Sequence, residues 1–114
     1  MTSRDPLLYL GHIRDALAAI NEYAAPGRDV FFSSRMMRDA VVRNIEIIGE
    51  AVKRLPQDVT DRAPEIPWTR VAGMRDVIVH DYFAIDDEIV WTVVVRDLPK
   101  LREAIDRLLG EQSG

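Results

Sequence analysis

The chain has 114 residues, 30% of them charged, a formal net charge of -4 and no cysteine. This length fits a single compact domain and excludes a multidomain enzyme, while the lack of thiols excludes disulfides and thiolate metal sites. The net acidic charge argues against diffuse nucleic-acid binding, whose affinity comes from neutralised phosphates, so any RNA contact requires a local concentration of positive charge.

The first fifteen residues carry no signal-type hydrophobic segment, and no apolar run approaches the roughly 18 residues of a membrane span. We therefore expect a cytoplasmic protein without membrane contact. A core of this size also leaves little room for a deep private cavity, which favours an active site shared between subunits.

The first predicted helix begins at Asp5-Pro6, where a carboxylate can cap the helix and proline suits its first position. Its apolar residues recur at spacings of three and four and form one stripe: Leu7, Leu10, Ile13, Leu17 and Ile20. Pro26-Gly27 is expected to end this helix, and residues 28–32 are expected to form a connection that carries two aromatic side chains.

The second predicted helix, which Ser33 or Ser34 caps and Pro56 stops, presents apolar residues over an arc of roughly 220°. An arc this wide predicts two buried surfaces, because an ordinary surface helix needs only a narrower stripe. Homodimerisation is the simplest source of the second surface, and a central position within one bundle is the alternative. Gly49 fits a close approach by another backbone, since glycine inside a helix costs about 1 kcal/mol relative to alanine.

A third helix is predicted from Pro67 to about Val79, and Asp86 is expected to cap the last helical region. The run 89–95 is β-prone by composition, but we predict helix because the rest of the chain offers a lone strand no partner. Pro99 is then expected to break, kink or re-cap this helix.

These elements predict an all-α fold, an up-and-down bundle of four to five helices in a single domain over residues 1–114. We expect the bundle to dimerise through its second and third helices, and its tail to be frayed from about Gly110. No internal repeat or low-complexity segment divides the chain.

Residue content excludes most kinds of active site. Two histidines without cysteine rule out the usual zinc sites, the internal serines are better explained as helix caps, and single scattered glycines form no phosphate loop. The acidic run 86–88 could hold a divalent cation, but a helix start explains those residues more simply. We therefore expect neither a metal nor another cofactor.

The remaining candidate is the segment 73–83, in which Arg75, Asp76, His80 and Tyr82 lie within eight residues. On a regular helix Asp76 and His80 would share a face, whereas Arg75 and His80 would differ by about 140°. Arg75 and His80 could then line one cleft only if the helix end distorts or the site draws on two chains.

An arginine and a histidine can cleave RNA without a metal. Histidine moves a proton near neutral pH, arginine stabilises the charge of a pentacovalent phosphorane, and the RNA 2′-hydroxyl supplies the nucleophile. Such cleavage leaves a 2′,3′-cyclic phosphate. The residues alone leave an alternative open, because an Arg-x4-His pair also arises by chance and a histidine at a helix end can simply pack or compensate the helix dipole.

Four segments at compatible spacing resemble the HepT-like family of HEPN-domain proteins, and they cover nearly the whole chain: 43–51, 66–68, 73–83 and 86–91. The resemblance implies a HEPN-like helical bundle that dimerises so that two Arg-x4-His motifs face one cleft. It further implies a metal-independent endoribonuclease, the toxin of a bacterial toxin–antitoxin pair. Arg75 and His80 would be its catalytic pair, with Asp76 at the polar position after the arginine.

The same resemblance implies a modification site and a partner. Tyr82 matches the tyrosine of the extended Arg-x4-His-x-Tyr motif, to which an antitoxin of the minimal nucleotidyltransferase (MNT) type adds AMP from ATP to silence the nuclease. Adenylyl groups there would add negative charge and bulk where RNA phosphates must enter. Asp76, where the family also commonly has asparagine, would repel the phosphate unless it is paired to Arg75 or His80.

Two other functions stay open at this point. The chain could instead be a non-catalytic helical interaction module that binds the minimal nucleotidyltransferase, with the motif retained for packing. It could also help that partner modify another molecule. If the motif serves packing, loss of Arg75 should destabilise the fold, whereas in a nuclease the same loss should leave a folded, inactive protein.

Overall fold

The described residues, 5–80 and 84–113, form eight α-helices and one short β pair in this computed structural model. In chain order the elements are α1 (Pro6–Ala24), α2 (Arg28–Ser33), α3 (Arg35–Val52), α4 (Gln57–Thr60), α5 (Trp68–Ala72), α6 (Met74–Ile78), β1 (Val79–His80), β2 (Ala84–Ile85), α7 (Asp87–Thr92), a π-helical turn (Val93–Asp97) and α8 (Leu98–Ser113). The predicted all-α class is confirmed. Helices outnumber the four to five predicted because several connections are themselves short helices.

The three long helices build the core. α1 packs against both α3 and α8, so that their apolar stripes meet in one cluster. Its fully buried large side chains on these helices are Leu10, Ile13, Ile20, Val41, Ile45, Ile48, Leu101, Ile105 and Leu108. Within the described part of the chain, no helix is at once long enough and apolar enough to cross a bilayer.

The predicted helix starts are confirmed by their capping hydrogen bonds. Asp5, Ser34 and Asp86 each accept a hydrogen bond on the side chain from a backbone N–H two or three residues further on, at 3.0, 3.2 and 3.1 Å. Each bond satisfies a donor that the first helical turn leaves without an intrahelical partner. The caps therefore fix where α1, α3 and α7 begin.

The connection predicted at residues 28–32 was wrong, because this segment forms the helix α2. It starts directly after Gly27, whose φ of 105° is open to glycine and turns the chain sharply. Phe31 is completely buried and contacts the ring of Trp91 at a centroid distance of 5.0 Å. Burial of this ring anchors a helix too short to be stable by itself.

The wide apolar arc of α3 is covered within one chain. α3 packs against α1 and also against α5 and α6. A Cβ on Gly49 would lie 3.0 Å from the carbonyl oxygen of Ala72, at the end of α5. The backbone approach predicted for Gly49 is therefore confirmed, but the approaching backbone belongs to the same chain. The arc no longer argues for a dimer, and homodimerisation stays a prediction.

The β-prone run 89–95 is helical, as predicted. It passes from α7 into the π-helical turn, where the N–H of Leu98 donates to the carbonyl of Val93. Pro99 lacks an N–H and would crowd the carbonyl four residues back, so the wider turn lets the helix pass through the proline without a break. α8 then continues through Gly110 to Ser113, where a frayed tail was expected.

Candidate functional site

The structure describes the four motif residues to different extents. Arg75 and Asp76 lie on α6, and the backbone of His80 lies in β1. Tyr82, the predicted site of AMP addition, lies outside the described residues. Arg75 and Asp76 are thus the motif residues whose side chains the structure describes.

The third predicted helix is interrupted, which changes the expected geometry of the motif. α5 ends at Ala72, the N–H of Gly73 caps it by donating to the carbonyls of Thr69 and Arg70 at 3.1 and 3.2 Å, and α6 then runs only to Ile78. A helix through Val79 was therefore wrong. The expectation that Asp76 and His80 share a helical face, and the 140° separation of Arg75 from His80, both fail because His80 is on a strand.

The short β pair holds the end of the motif against α6. β1 and β2 are antiparallel, with Val79 opposite Ile85 and His80 opposite Ala84. Ile78, which is completely buried, accepts a hydrogen bond on its carbonyl from the N–H of Asp86 at 2.8 Å. The helix end is therefore distorted, which is one of the two conditions under which Arg75 and His80 could line one cleft, and a site drawn from two chains is the other.

The Arg75 guanidinium is held by a carboxylate from another helix. Its Nε donates to Oε2 of Glu46 on α3 at 2.8 Å. The side chains are 58% and 31% exposed, respectively. The second carboxylate oxygen, Oε1, lies 3.9 Å from Nη1 of Arg43, one turn earlier on α3. One carboxylate therefore lies between two guanidinium groups.

Arg75 also lines a polar pocket between α3 and the turn that joins α5 to α6. The pocket has a volume of about 210 Å³. Its lining residues are Ile45, Glu46, Gly49, Glu50, Lys53, Ala72, Gly73, Arg75 and Asp76. This is below the roughly 300 Å³ at which small-molecule pockets begin, so it suits part of a ligand better than a whole one. Two cationic side chains, of Lys53 and Arg75, face three carboxylates in its lining.

Glu46 is the residue that sequence reasoning missed. The sequence offered Asp76 a pairing with Arg75 or His80 and gave Glu46 no role of its own. The carboxylate on Arg75 Nε is instead that of Glu46, which is 29 residues away in the chain. No helical spacing rule reaches a contact between two helices, so only the fold could reveal it.

The acidic run 86–88 serves helix starts and ion pairs, as its simpler interpretation held. Asp86 caps α7, Asp87 Oδ2 lies 3.1 Å from Arg38 Nε, and Glu88 accepts a hydrogen bond from Arg28 at 2.6 Å. In the part of the chain that the structure describes, three or more His, Asp or Glu side chains never gather as a metal site would require.

Comparison with known proteins shows which family this chain resembles. The family model described as "Ribonuclease HepT-like" matches residues 13–108. A probable ribonuclease HepT of Thermococcus cleftensis is 38% identical over 104 residues, which cover 88% of this chain and 92% of that protein. A candidate RNase of Caldanaerobacter subterraneus subsp. tengcongensis is 32% identical over 110 residues, covering 96% of this chain and 98% of the relative.

A third relative is longer. A Methanocaldococcus jannaschii protein described as a gamma-glutamylcyclotransferase and candidate RNase is 42% identical over 109 residues, or 95% of this chain. The chain spans about half of that relative, 49% of its length. No solved structure matches this chain.

Proposed function

This chain belongs to the ribonuclease HepT-like family, and from that premise we propose that it is a metal-independent endoribonuclease that uses Arg75 and His80. The observation that carries the proposal is the family match over residues 13–108, which spans the whole motif up to and beyond Tyr82. Two relatives of nearly the same length, both named as RNases, support the class. The exposed Arg75 at a polar pocket fits a residue that meets a phosphate.

The proposed reaction is transfer within the RNA itself. The 2′-oxygen attacks the adjacent phosphorus, the bond from phosphorus to the 5′-oxygen of the next nucleotide breaks, and a 2′,3′-cyclic phosphate forms. The proton of the 2′-hydroxyl leaves to a base and the departing 5′-oxygen gains one from an acid, and His80 serves one of these roles near neutral pH. The Arg75 guanidinium stabilises the charge that develops on the phosphorane.

The test is cleavage of RNA by the purified protein, compared with Arg75→Ala and His80→Ala. Both variants should lose cleavage while their melting temperatures stay near that of the wild type. Arg14→Ala is a matched control, because Arg14 is an exposed α1 residue whose Nη2 lies 3.4 Å from Asp15. A wild-type protein that cleaves no RNA, or a His80→Ala protein that cleaves normally, would contradict the proposal.

A homodimer with both motifs at one cleft is the proposed active assembly. The exposure of Arg75 leaves room for a second protomer to complete the site. Light scattering should give twice the chain mass of 13.0 kDa. If each site takes Arg75 from one protomer and His80 from the other, mixing the inactive Arg75→Ala and His80→Ala proteins should restore some cleavage. A monomer that cleaves at the full rate would contradict the shared cleft.

The proposed role is that of a cytoplasmic toxin in a toxin–antitoxin pair. An antitoxin of the minimal nucleotidyltransferase type would transfer AMP from ATP to Tyr82 and so silence the nuclease. Intact mass of the protein co-expressed with such a partner should show added AMP, and Tyr82→Phe should remove the adduct. An adduct that persists in Tyr82→Phe would place the modification elsewhere.

One observation favours the second candidate, a non-catalytic module that binds the nucleotidyltransferase. Arg75 contacts Glu46 on a neighbouring helix, as a residue retained for packing would. An ion pair as exposed as this one contributes only about 0–1 kcal/mol, however, so the contact adds little to stability. A melting curve of Arg75→Ala beside its cleavage rate separates the candidates, because the module predicts a loss of stability.

A further inference from the structure

We infer that Glu46 is a positioning residue for the proposed cleavage, which holds the Arg75 guanidinium in the orientation that meets the phosphate. The inference rests on the proposed function and adds to it a residue from outside the motif. Its basis is the 2.8 Å hydrogen bond from Arg75 Nε to Glu46 Oε2, between α6 and α3.

The atoms of this bond leave the useful part of the guanidinium available. Arginine has five N–H donors, and Nε contributes one of them. A carboxylate on Nε fixes the plane of the group, while the two terminal amino groups keep the paired geometry that suits phosphate oxygens. Glu46 therefore orients Arg75 through Nε and leaves the pair of terminal amino groups free to bind a phosphate end-on.

The Glu46 side chain is held in place more tightly by the fold than the Arg75 side chain. It lies on α3 next to Ile45, which is completely buried, as is Ile48 on the same helix. The Glu46 side chain is 31% exposed, whereas that of Arg75 is 58% exposed. A long arginine side chain loses much rotamer freedom when it is fixed. A hydrogen bond to a side chain on the core helix supplies that restriction before RNA binds.

The charges around Glu46 allow it to hold Arg75 without cancelling its attraction for RNA. Oε1 of Glu46 lies 3.9 Å from Nη1 of Arg43, while Oε2 binds Arg75. Two guanidinium groups and one carboxylate sum to one positive charge, so Arg43 balances the negative charge that positioning requires. The attraction for a phosphate comes from the oriented Arg75 guanidinium, because the remaining charged residues of the pocket bring the total charge to zero: Lys53, Glu50 and Asp76.

The test measures cleavage kinetics of Glu46→Ala and Glu46→Gln. Glu46→Ala should lower kcat by roughly 10- to 100-fold, because a misplaced catalytic group costs that much in rate. Glu46→Gln should lose less, since its amide oxygen can still accept the bond from Nε. KM should not rise in either variant, because removing a negative charge does not weaken RNA binding.

A matched control comes from the ion pair between Glu65 and Arg107. Its Nη2 to Oε2 distance is 2.9 Å, its side chains are 45% and 50% exposed for Arg107 and Glu65, and neither residue lines the Arg75 pocket. Glu65→Ala should leave kcat and KM unchanged. A double variant sharpens the test, because adding Glu46→Ala to Arg75→Ala should cost nothing further if Glu46 acts through Arg75.

Each outcome decides the matter. If the wild type cleaves RNA and a folded Glu46→Ala protein cleaves equally fast, or if only KM changes, the inference is overturned and the proposed function stands. A further loss in the double variant also overturns it. If Glu46→Ala does not fold, Glu46→Gln decides by the same kcat criterion. A wild type that cleaves no RNA overturns the proposed function and this inference together.

Discussion

Arg38 and Arg75 both bind a carboxylate beside α3, but their surroundings differ. The Arg38 side chain is 21% exposed, its Nε lies 3.1 Å from Asp87 Oδ2, and its Nη1 donates to two backbone carbonyls of α2 at 3.3 and 2.5 Å. The Arg75 side chain is 58% exposed and is held at Nε by Glu46. The first guanidinium is enclosed by protein, and the second is presented to solvent.

The contrast shows that one arginine of this chain serves the stability of the fold and another is available for function. Arg38 links α2, α3 and α7, so its removal takes a donor from the Asp87 carboxylate and from two carbonyls of α2, of which that of Phe31 keeps another bond, from the N–H of Ser34. This loss costs free energy. Arg75 contacts one neighbouring helix through an exposed pair, which contributes little to stability. We therefore expect substitution of Arg38 to lower the stability of the fold and substitution of Arg75 to lower the rate of cleavage.

The largest expected effect lies on the Arg75 side of the comparison. Arg75→Ala should lower the rate of RNA cleavage by roughly 10²- to 10³-fold, as the loss of one donor to a developing charge does. Its melting temperature should stay close to that of the wild type. Cleavage assays and melting curves of the same preparations check both statements.

Arg38→Ala is the counterpart of that prediction. It should lower the free energy of unfolding by about 1–3 kcal/mol while the folded fraction keeps its cleavage rate. Urea unfolding measures the free energy of unfolding. A cleavage assay, normalised to the amount of folded protein, measures the rate. Equal losses of stability in Arg38→Ala and Arg75→Ala would show that both arginines are structural and would remove the contrast.

The next effect concerns the contact that places α5 and α6 on α3. Gly49→Val should destabilise the fold by about 1–3 kcal/mol, the usual cost of overpacking, because even a Cβ would lie 3.0 Å from the Ala72 carbonyl oxygen. Cleavage should also fall, since Ala72 precedes the turn that leads to Arg75. Gly11→Ala is the control, because a Cβ there meets no atom within 4 Å and should stabilise α1 by up to about 1 kcal/mol. A Gly49→Val protein as stable as the wild type would contradict the packing described here.

The smallest effect is the pH dependence of a surface pair that resembles the one between Glu46 and Arg75. The hydrogen bond from Arg107 lowers the pKa of Glu65 below its ordinary value of 4.5, with help from the Glu65 backbone. A lowered folded-state pKa adds stability above the ordinary pKa, and that stability is lost as pH falls through the folded value.

Melting curves of Glu65→Gln against the wild type check this sign. The variant should melt slightly earlier at about pH 7, and the difference should shrink toward zero as the pH falls through the folded-state pKa and the carboxyl group becomes protonated. A difference that grows on acidification would contradict the lowered pKa of Glu65.

Local chemistry explains which parts of the fold the sequence could predict. The caps Asp5, Ser34 and Asp86 and the apolar stripe of the first helix depend on neighbouring residues, and they are confirmed except that Leu7 of the stripe is exposed. The helix α2 escaped prediction because the burial of Phe31 stabilises it, and burial depends on the rest of the fold. The same reason explains why the break at Gly73 was missed.

The candidate site divides in the same way. The motif residues could be found because their types and spacing carry chemistry, and the resemblance to a family added a reaction to them. The contact between Arg75 and Glu46 joins residues 29 positions apart on two helices, and the packing of α5 against Gly49 brings the start of α6 close to α3. Such a contact follows from the close approach of two backbones, which the residue pattern of either helix does not encode by itself.

The most direct test of the central claim is the chemistry of the cut ends in the presence of EDTA. The proposed mechanism predicts that wild-type protein produces a 2′,3′-cyclic phosphate and a 5′-hydroxyl, and that Arg75→Ala produces both at least about 100-fold more slowly under the same conditions. Cleavage that requires an added divalent metal, or that leaves a 3′-hydroxyl and a 5′-phosphate, would contradict it.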